Sequence, residues 1–275
     1  MKRISTSTWS WQRIASVGLF VLTLPAVVLI ANLLLTPPPA HEKITHQPQE
    51  ASEAAVPQRL APAITPTPVF TPDVRLPASV GGLAPVISTL PTKRSVVFLG
   101  IDDGAFKDPS VVELMRKNNI KASLFLSKLF IANNPDFFKQ LTAQGSVAED
   151  HTISHTTTMT RTMSYLQQKS EICAMADYEE KIYGKRPTLF RPPGGAYSDT
   201  MRRAAHDCGM RAVVTWIAKA NGGGMQYQVG NKLRPGDIVL MHFRPEFAKD
   251  MQAFVEAETA AGLHTELLED IPSAP

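Results

Sequence analysis

The 275-residue sequence has few charged residues and few cysteines. Charged side chains make up 19% of the chain, and the formal net charge is +3 with no run of one sign. These numbers do not indicate a basic surface for nucleic acid or an acidic tail, so we expect no nucleic-acid partner. The two cysteines, Cys173 and Cys208, are too few for a disulfide-stapled mini-domain and lie outside any Cys-x-x-Cys pattern. They are either a bridge between neighbouring helices or two small buried residues.

Charged residues are absent from residues 14–35, which form one long apolar stretch. A helix of about 20 residues crosses a hydrocarbon core of about 30 Å, and the basic residues Lys2, Arg3 and Arg13 precede the stretch. The pattern predicts a single-pass anchor in the cell membrane, with residues 1–13 in the cytoplasm and the rest extracytoplasmic. The alternative is a cleaved signal peptide and a secreted protein, but a signal peptide has a shorter apolar region of about 7–15 residues.

Residues 36–92 are dense in Pro, Ala, Thr, Gln and Glu and lack a sustained helical or alternating pattern. Such a composition buries too little apolar surface to offset the entropy of ordering the chain. We therefore predict a Pro-rich disordered linker between the anchor and a globular domain.

The globular pattern covers residues 93–272, where short apolar runs alternate with segments of helical periodicity. Alternating strands and helices predict an α/β fold with a parallel sheet, either doubly wound or closed as a barrel. Unusual polar residues follow several different strands, which favours a distorted (β/α) barrel because barrel enzymes collect their chemistry at that rim. The predicted strands, about seven in number, are SVVFLGI, KASLFLS, SVAED, TLFRP, RAVVTWI, DIVLMHF and HTELLED.

Two pairs of polar residues are candidates for metal chemistry. His151 and His155 are four residues apart, and a helical segment would place both on one face, within reach of a single ion. Asp102 and Asp103 end a buried strand, where adjacent carboxylates repel each other unless a cation or an arginine compensates them. The alternatives are an ordinary polar surface for the histidines, and a helix cap or an Asp-Gly turn for the aspartates.

Two further candidates follow later strands. Arg191 precedes Pro192-Pro193-Gly194-Gly195, in which the prolines stiffen the chain and the glycines let backbone amides approach a ligand. The alternative is a plain strand-to-helix connection. His242 ends a very apolar strand, so it is either a satisfied core residue or a working group at the rim.

Together these residues resemble the NodB-type polysaccharide deacetylases, carbohydrate esterase family 4, over about residues 94–271. The family's Thr-Phe-Asp-Asp-Gly motif is similar to residues 100–104, and its His-Ser/Thr-x-x-His motif matches residues 151–155. Its Arg-Pro-Pro-aromatic-Gly motif is similar to residues 191–195, with Gly194 in the aromatic position. Its Leu-x-His motif matches Leu240 to His242. Order and spacing agree throughout.

The resemblance implies a role for each matched residue. The implied ligands of a divalent ion, commonly zinc with cobalt, nickel or manganese as alternatives, are Asp103, His151 and His155. The implied catalytic residues are Asp102 as the base, Arg191 as the residue that orients it, and His242 as the acid. The expected substrate-binding residues are Gly194, Trp216 and Leu240.

The sequence departs from the family in its fourth motif, which usually supplies an Asp partner for the acidic histidine. Residues 214–222 contain no carboxylate, so the partner of His242 is open, with Asn221 as one candidate. We expect hydrolysis of N-acetyl groups on an envelope amino-sugar polymer such as peptidoglycan. The alternatives are a non-catalytic glycan-binding protein that is tethered to the membrane, and an O-acetyl esterase that uses the same metal centre.

Overall fold

The computed structural model describes residues 73–274. The predicted cytoplasmic segment 1–13, the anchor 14–35 and residues 36–72 of the predicted linker lie outside the described residues. Among residues 73–274, no helix combines the length and apolar character needed to cross a membrane.

The fold is a mostly parallel sheet that curls into a half-barrel, with helices between successive strands. Its strands follow the order β1-β6-β5-β4-β3-β2-β9-β7-β8, β10 also pairs with β2, and only the β7–β8 pair is antiparallel within residues 73–274. The strands are β1 Val86–Ile87, β2 Val96–Asp103, β3 Ser123–Leu126, β4 Val147–Asp150, β5 Leu189–Phe190, β6 Ala212–Val214, β7 Ala218–Asn221, β8 Gly224–Tyr227, β9 Ile238–His242 and β10 His264–Glu266.

Seven helices cover the described sheet, and the longer ones follow the predicted apolar periodicity. The helix α5 begins with a capping box between Ser164 and Gln167 and ends at Gly184 in the left-handed region, as helix signals require. The helices are α1 Pro109–Lys117, α2 Lys128–Ile131, α3 Asp136–Ala143, α4 Met159–Thr162, α5 Tyr165–Tyr183, α6 Asp199–Asp207 and α7 Phe247–Ala261.

The α/β class and the parallel, barrel-like sheet were predicted correctly, but the predicted number of strands was too low. The seven predicted runs correspond to β2, β3, β4, β5, β6, β9 and β10, whereas the described residues form ten strands. The missed β7 and β8 form a hairpin around Gly222 and Gly223, both with positive φ. The Gly222-Gly223 pair, which forms the two-residue loop, is a hairpin signal that could have revealed them.

The predicted linker was wrong from residue 73 onward, because residues 73–92 belong to the folded domain. Val74, Leu76 and Leu90 are buried and belong to one core cluster with strand residues such as Phe98 and Phe125. The strand β1 pairs with β6, and Leu90 N–H then donates to the Gly236 carbonyl at 2.8 Å, ahead of β9. This segment therefore closes part of the open side of the half-barrel.

The two cysteines form a disulfide. Cys173 lies in α5 and Cys208 caps α6, and their sulfurs are bonded. Of the two alternatives that the sequence left open, the bridge between neighbouring helices is the one observed.

Candidate metal centre and active site

The carboxyl ends of neighbouring strands meet at one rim of the sheet, and strand register decides which residues lie there. Asp102 on β2 pairs with His242 on β9, and Asp103 pairs with Leu126 on β3. The register continues across the sheet, where Leu126 pairs with Asp150 on β4 and Asp150 pairs with Phe190 on β5. Since His151 follows β4 and Arg191 follows β5, the predicted catalytic and ligand residues gather at this rim.

Three of the side chains at the rim form a compact set of metal donors. Asp103, His151 and His155 each offer a donor atom, and these atoms all lie within 4.8 Å of one another. The Oδ1 atom of Asp103 is 2.9 Å from His155 Nε2 and 3.5 Å from His151 Nε2. Two imidazole nitrogens and one carboxylate oxygen are a donor set that suits zinc.

The loop between the two histidines is not the helix that the spacing suggested. Residues 151–155 are irregular, and Thr152 and His155 have positive φ angles of 73° and 52°. The loop is held by the Thr152 hydroxyl, which accepts from His155 N–H at 3.1 Å, and by Ser127 Oγ, which donates to the His151 carbonyl at 2.5 Å. The turn, rather than a helical face, points both rings at one place.

Backbone strain is concentrated at this centre. Four described non-glycine residues have positive φ, and three of them are Asp103, Thr152 and His155. Each such residue costs on the order of 1–3 kcal/mol and persists only where its surroundings hold it in place. The strain is a sign that the fold is constrained to present the candidate ligands Asp103 and His155.

One histidine is fixed in the tautomer that metal binding needs. His151 Nδ1 lies 2.7 Å from the carbonyl oxygen of Arg191, which can only accept. Nδ1 therefore carries a proton, so Nε2, which faces Asp103, is the nitrogen left for a metal ion. Burial of Asp103 raises its pKa, but hydrogen bonds from His151 and His155 outweigh burial and lower that pKa far below its ordinary range. Asp103 is thus ionised and able to serve as a ligand.

Asp102 is held by a buried arginine. Arg191 is fully buried, and its Nη1 donates to Asp102 Oδ1 at 2.5 Å. The guanidinium carbon lies 4.1 Å from the centre of the Phe125 ring. Space for it exists because residue 100 is glycine, where a Cβ would collide with the guanidinium. Since α1 is capped by Asp108, neither Asp102 nor Asp103 serves as the cap of that helix.

The predicted substrate-binding residues occupy two different positions. Gly194 and Trp216 line one cleft of about 300 Å³ together with Tyr197, and Trp216 packs over Gly195, where a Cβ would lie 2.7 Å from the indole. Leu240 lies two residues before His242 in β9, and only 3% of it is exposed.

His242 contacts an arginine that the sequence did not single out. Arg244 Nη2 lies 2.5 Å from His242 Nδ1, while Arg244 Nη1 donates to Asn221 Oδ1 at 2.9 Å. Asn221, the candidate partner of His242, contacts the arginine instead. The carboxylate nearby is Asp250 on α7, fully buried and 3.8 Å from Arg244 Nε. A charged residue within the apolar stripe of α7 was the signal that could have identified Asp250.

A second cavity, of about 520 Å³, borders the metal centre. It is lined by Asp103, Phe106, Asn221, His242 and Arg244, among others. The candidate metal centre therefore opens onto a space that is large enough for a sugar residue.

Comparisons with known proteins identify similar sequences. The family model described as polysaccharide deacetylase matches residues 89–213. An uncharacterised protein of Streptomyces coelicolor is 34% identical over 217 residues, which are 78% of this chain and 80% of the relative. A peptidoglycan-N-acetylglucosamine deacetylase of Bacillus cereus is 28% identical over 162 residues, which are 56% of this chain and 75% of the relative.

The fold has similar solved structures as well. The chitin deacetylase of the fungal pathogen Colletotrichum lindemuthianum superposes with a TM-score of 0.59 and 18% identity, covering 70% of this chain and 94% of that one. At this identity the likeness concerns the fold.

Proposed function

Since the chain belongs to the polysaccharide deacetylase family of hydrolases, carbohydrate esterase family 4, we propose that it removes N-acetyl groups from an envelope amino-sugar polymer and releases acetate. The observation that carries this proposal is the Asp103, His151 and His155 donor set beside the buried pair of Asp102 and Arg191. Water activation needs both a Lewis acid and a base within reach of each other.

The donor set fits a divalent ion, for which we propose zinc, with cobalt, nickel or manganese as alternatives. Asp103, His151 and His155 would hold it, because His151 Nε2 and His155 Nε2 face one ionised carboxylate oxygen. When bound, the ion supplies positive charge that polarises the acetyl carbonyl and makes water more acidic. Three protein ligands leave coordination positions open, as catalytic zinc requires.

The chain's own residues supply the remaining chemistry. Asp102 takes a proton from water, and Arg191 fixes the direction of that carboxylate through the buried hydrogen bond. The backbone amide of Gly194 is the proposed donor to the oxyanion, and Trp216 and Leu240 are proposed to contact the substrate. His242 faces the leaving group.

We place the domain outside the cytoplasm, on the membrane through the predicted anchor or secreted after cleavage. The disulfide between Cys173 and Cys208 supports this location, because disulfides persist mainly in oxidising compartments. Peptidoglycan is the proposed substrate, and the Bacillus cereus relative, which is named a peptidoglycan-N-acetylglucosamine deacetylase, supports that choice.

Hydrolysis of O-acetyl esters is a second candidate, favoured by one observation. His242 contacts Arg244 rather than a carboxylate, so it lacks the usual support for a protonated acid. An ester releases an alcohol, which needs less help from an acid than an amine does.

The test combines metal analysis with acetate release from N-acetylated and O-acetylated glycans, using the wild type and His155→Ala. We expect one bound ion per chain and acetate from N-acetylglucosamine oligomers in the wild type, and neither in the variant. His264→Ala, which changes a mostly exposed histidine, is the matched control and retains both. Stoichiometric metal without turnover of any acetylated glycan would leave only the glycan-binding alternative.

A further inference from the structure

Lysines are gathered at the end of the sheet opposite the candidate active site. Lys93, Lys121 and Lys185 are exposed, and each shortly precedes the amino end of a strand, β2, β3 and β5 respectively. These strands run parallel in the order β5-β4-β3-β2. The residues that precede them therefore lie together at one end of the sheet, while Asp103 lies at the other.

A fourth exposed lysine, Lys139 on α3, joins this group across a cavity. The cavity has a volume of about 320 Å³ and is lined by Lys139, Lys185 and Ser146, among others. Gly145, next to Ser146, lies against Lys121, whose Cε would be 3.0 Å from a Cβ at that position. We call this group the basic face, and it consists of Lys93, Lys121, Lys139 and Lys185.

The basic face has little negative charge of its own. Lys139 is 2.7 Å from Asp136, but at least half of each side chain is exposed, and water screens such a pair. Lys93, Lys121 and Lys185 form no ion pair with another residue of the described domain. The face therefore presents unbalanced positive charge to its surroundings.

The chain enters the described domain at the same face. Asp73, the first described residue, accepts from the Lys93 N–H at 2.9 Å and from the Thr92 hydroxyl at 2.6 Å. The connection from the predicted anchor, residues 14–35, thus reaches the domain beside the basic face rather than at the rim. A tether keeps the effective concentration of its two ends high, so that a weak contact is well populated.

We propose that the basic face docks on the membrane that holds the predicted anchor, through the phosphate headgroups of anionic lipids. Each lysine close to such a surface strengthens binding about fivefold, and the effect falls off within a Debye length of about 8–10 Å. The cavity between Lys139 and Lys185 has room for one phosphate headgroup. Docking in this way turns the rim with the candidate metal centre away from the membrane. The proposal goes beyond the proposed function, because it does not depend on which bond the active site breaks.

The test measures lysine reactivity in the full-length protein, reconstituted in vesicles of phosphatidylcholine alone or mixed with phosphatidylglycerol. An amine-acylating reagent is added, and peptide mass spectrometry follows each lysine. We expect Lys121, Lys139 and Lys185 to react at least about fivefold more slowly in the anionic vesicles, and high salt to remove the difference. Lys249, exposed in the first turn of α7 near the rim, is the internal control and reacts equally in both.

Paired variants separate the basic face from the other lysines. In Lys121→Gln/Lys185→Gln we expect Lys93, which remains as a reporter, to lose most of its protection in anionic vesicles. The matched variant Lys219→Gln/Lys249→Gln removes the same charge from β7 and α7, near the rim, and keeps Lys93 protected. Equal protection of Lys93 in the two variants would refute the role of the basic face.

The remaining outcomes are also decisive. Equal reactivity of the basic face in the two kinds of vesicle would overturn the proposal, and so would equal slowing of Lys249. If polyphosphate protects the face in solution and phosphatidylglycerol does not, the face binds a soluble phosphate polymer instead. Protein recovered free of vesicles from both preparations would refute the predicted anchor and the docking together. Acetate release is measured separately, so its failure would refute only the proposed function.

Discussion

Replacing Arg191 with methionine is expected to destabilise the fold strongly, because it strands a buried carboxylate. Arg191 is 0% exposed, its partner Asp102 is 3% exposed, and the hydrogen bond between them is 2.5 Å long. Removing one member of a buried ion pair costs about 3–5 kcal/mol, since the remaining charge stays desolvated. For a domain of this size each kcal/mol lowers Tm by about 2–4 °C, so Tm should fall by about 6–20 °C.

The assay is urea unfolding of the metal-free protein, which separates this effect from metal binding. Arg186→Met is the matched control, because Arg186 forms ion pairs with Asp177 and Glu180 but its side chain is 37% exposed. An exposed pair is worth at most about 1 kcal/mol. If both variants lose the same small amount of stability, the reasoning about the buried pair is refuted.

Three other changes test the packing of the domain. Gly100→Ala adds a Cβ where Arg191 lies, so we expect at least about a 10-fold loss of acetate release with unchanged metal content, read by activity and metal analysis. Burial and the neighbouring Glu269 raise the pKa of Glu149 in the folded protein. The folded state therefore holds this proton more tightly than the unfolded chain does, and the free energy of unfolding falls as pH rises above about 4.5, the ordinary pKa of the group. Glu149→Gln should therefore raise the free energy of unfolding by about 1–3 kcal/mol at pH 7 and little at pH 4, in urea melts at both pH values. Reduction of the disulfide, whose cysteines are 35 residues apart, should lower that free energy by about 2–4 kcal/mol, measured with and without reductant.

The position of the site was predictable because it depends on strand ends. Asp102, Arg191 and His242 each end or follow a strong apolar run, and parallel strands place such residues at one edge. The helices were predictable for a similar reason, since their apolar spacing and their glycine stops are local signals.

Other features depend on contacts that the pattern of residues does not encode. The positive φ of His155 and the turn at Thr152 are held by hydrogen bonds to the backbone, so four-residue spacing alone suggested a helix. Residues 73–92 have a linker-like composition, yet a few apolar residues there suffice to dock them on the sheet. The contact of Arg244 with His242 depends on how the chain turns after β9.

Acetate release before and after removal of metal tests the central claim most directly. The full-length protein is assayed on N-acetylated peptidoglycan, treated with a chelator, and assayed again after one equivalent of zinc is restored. We expect activity to disappear with the metal and to return with it. Acetate release that continues at the same rate in the metal-free protein would contradict the assignment of Asp103, His151 and His155 as a catalytic metal centre.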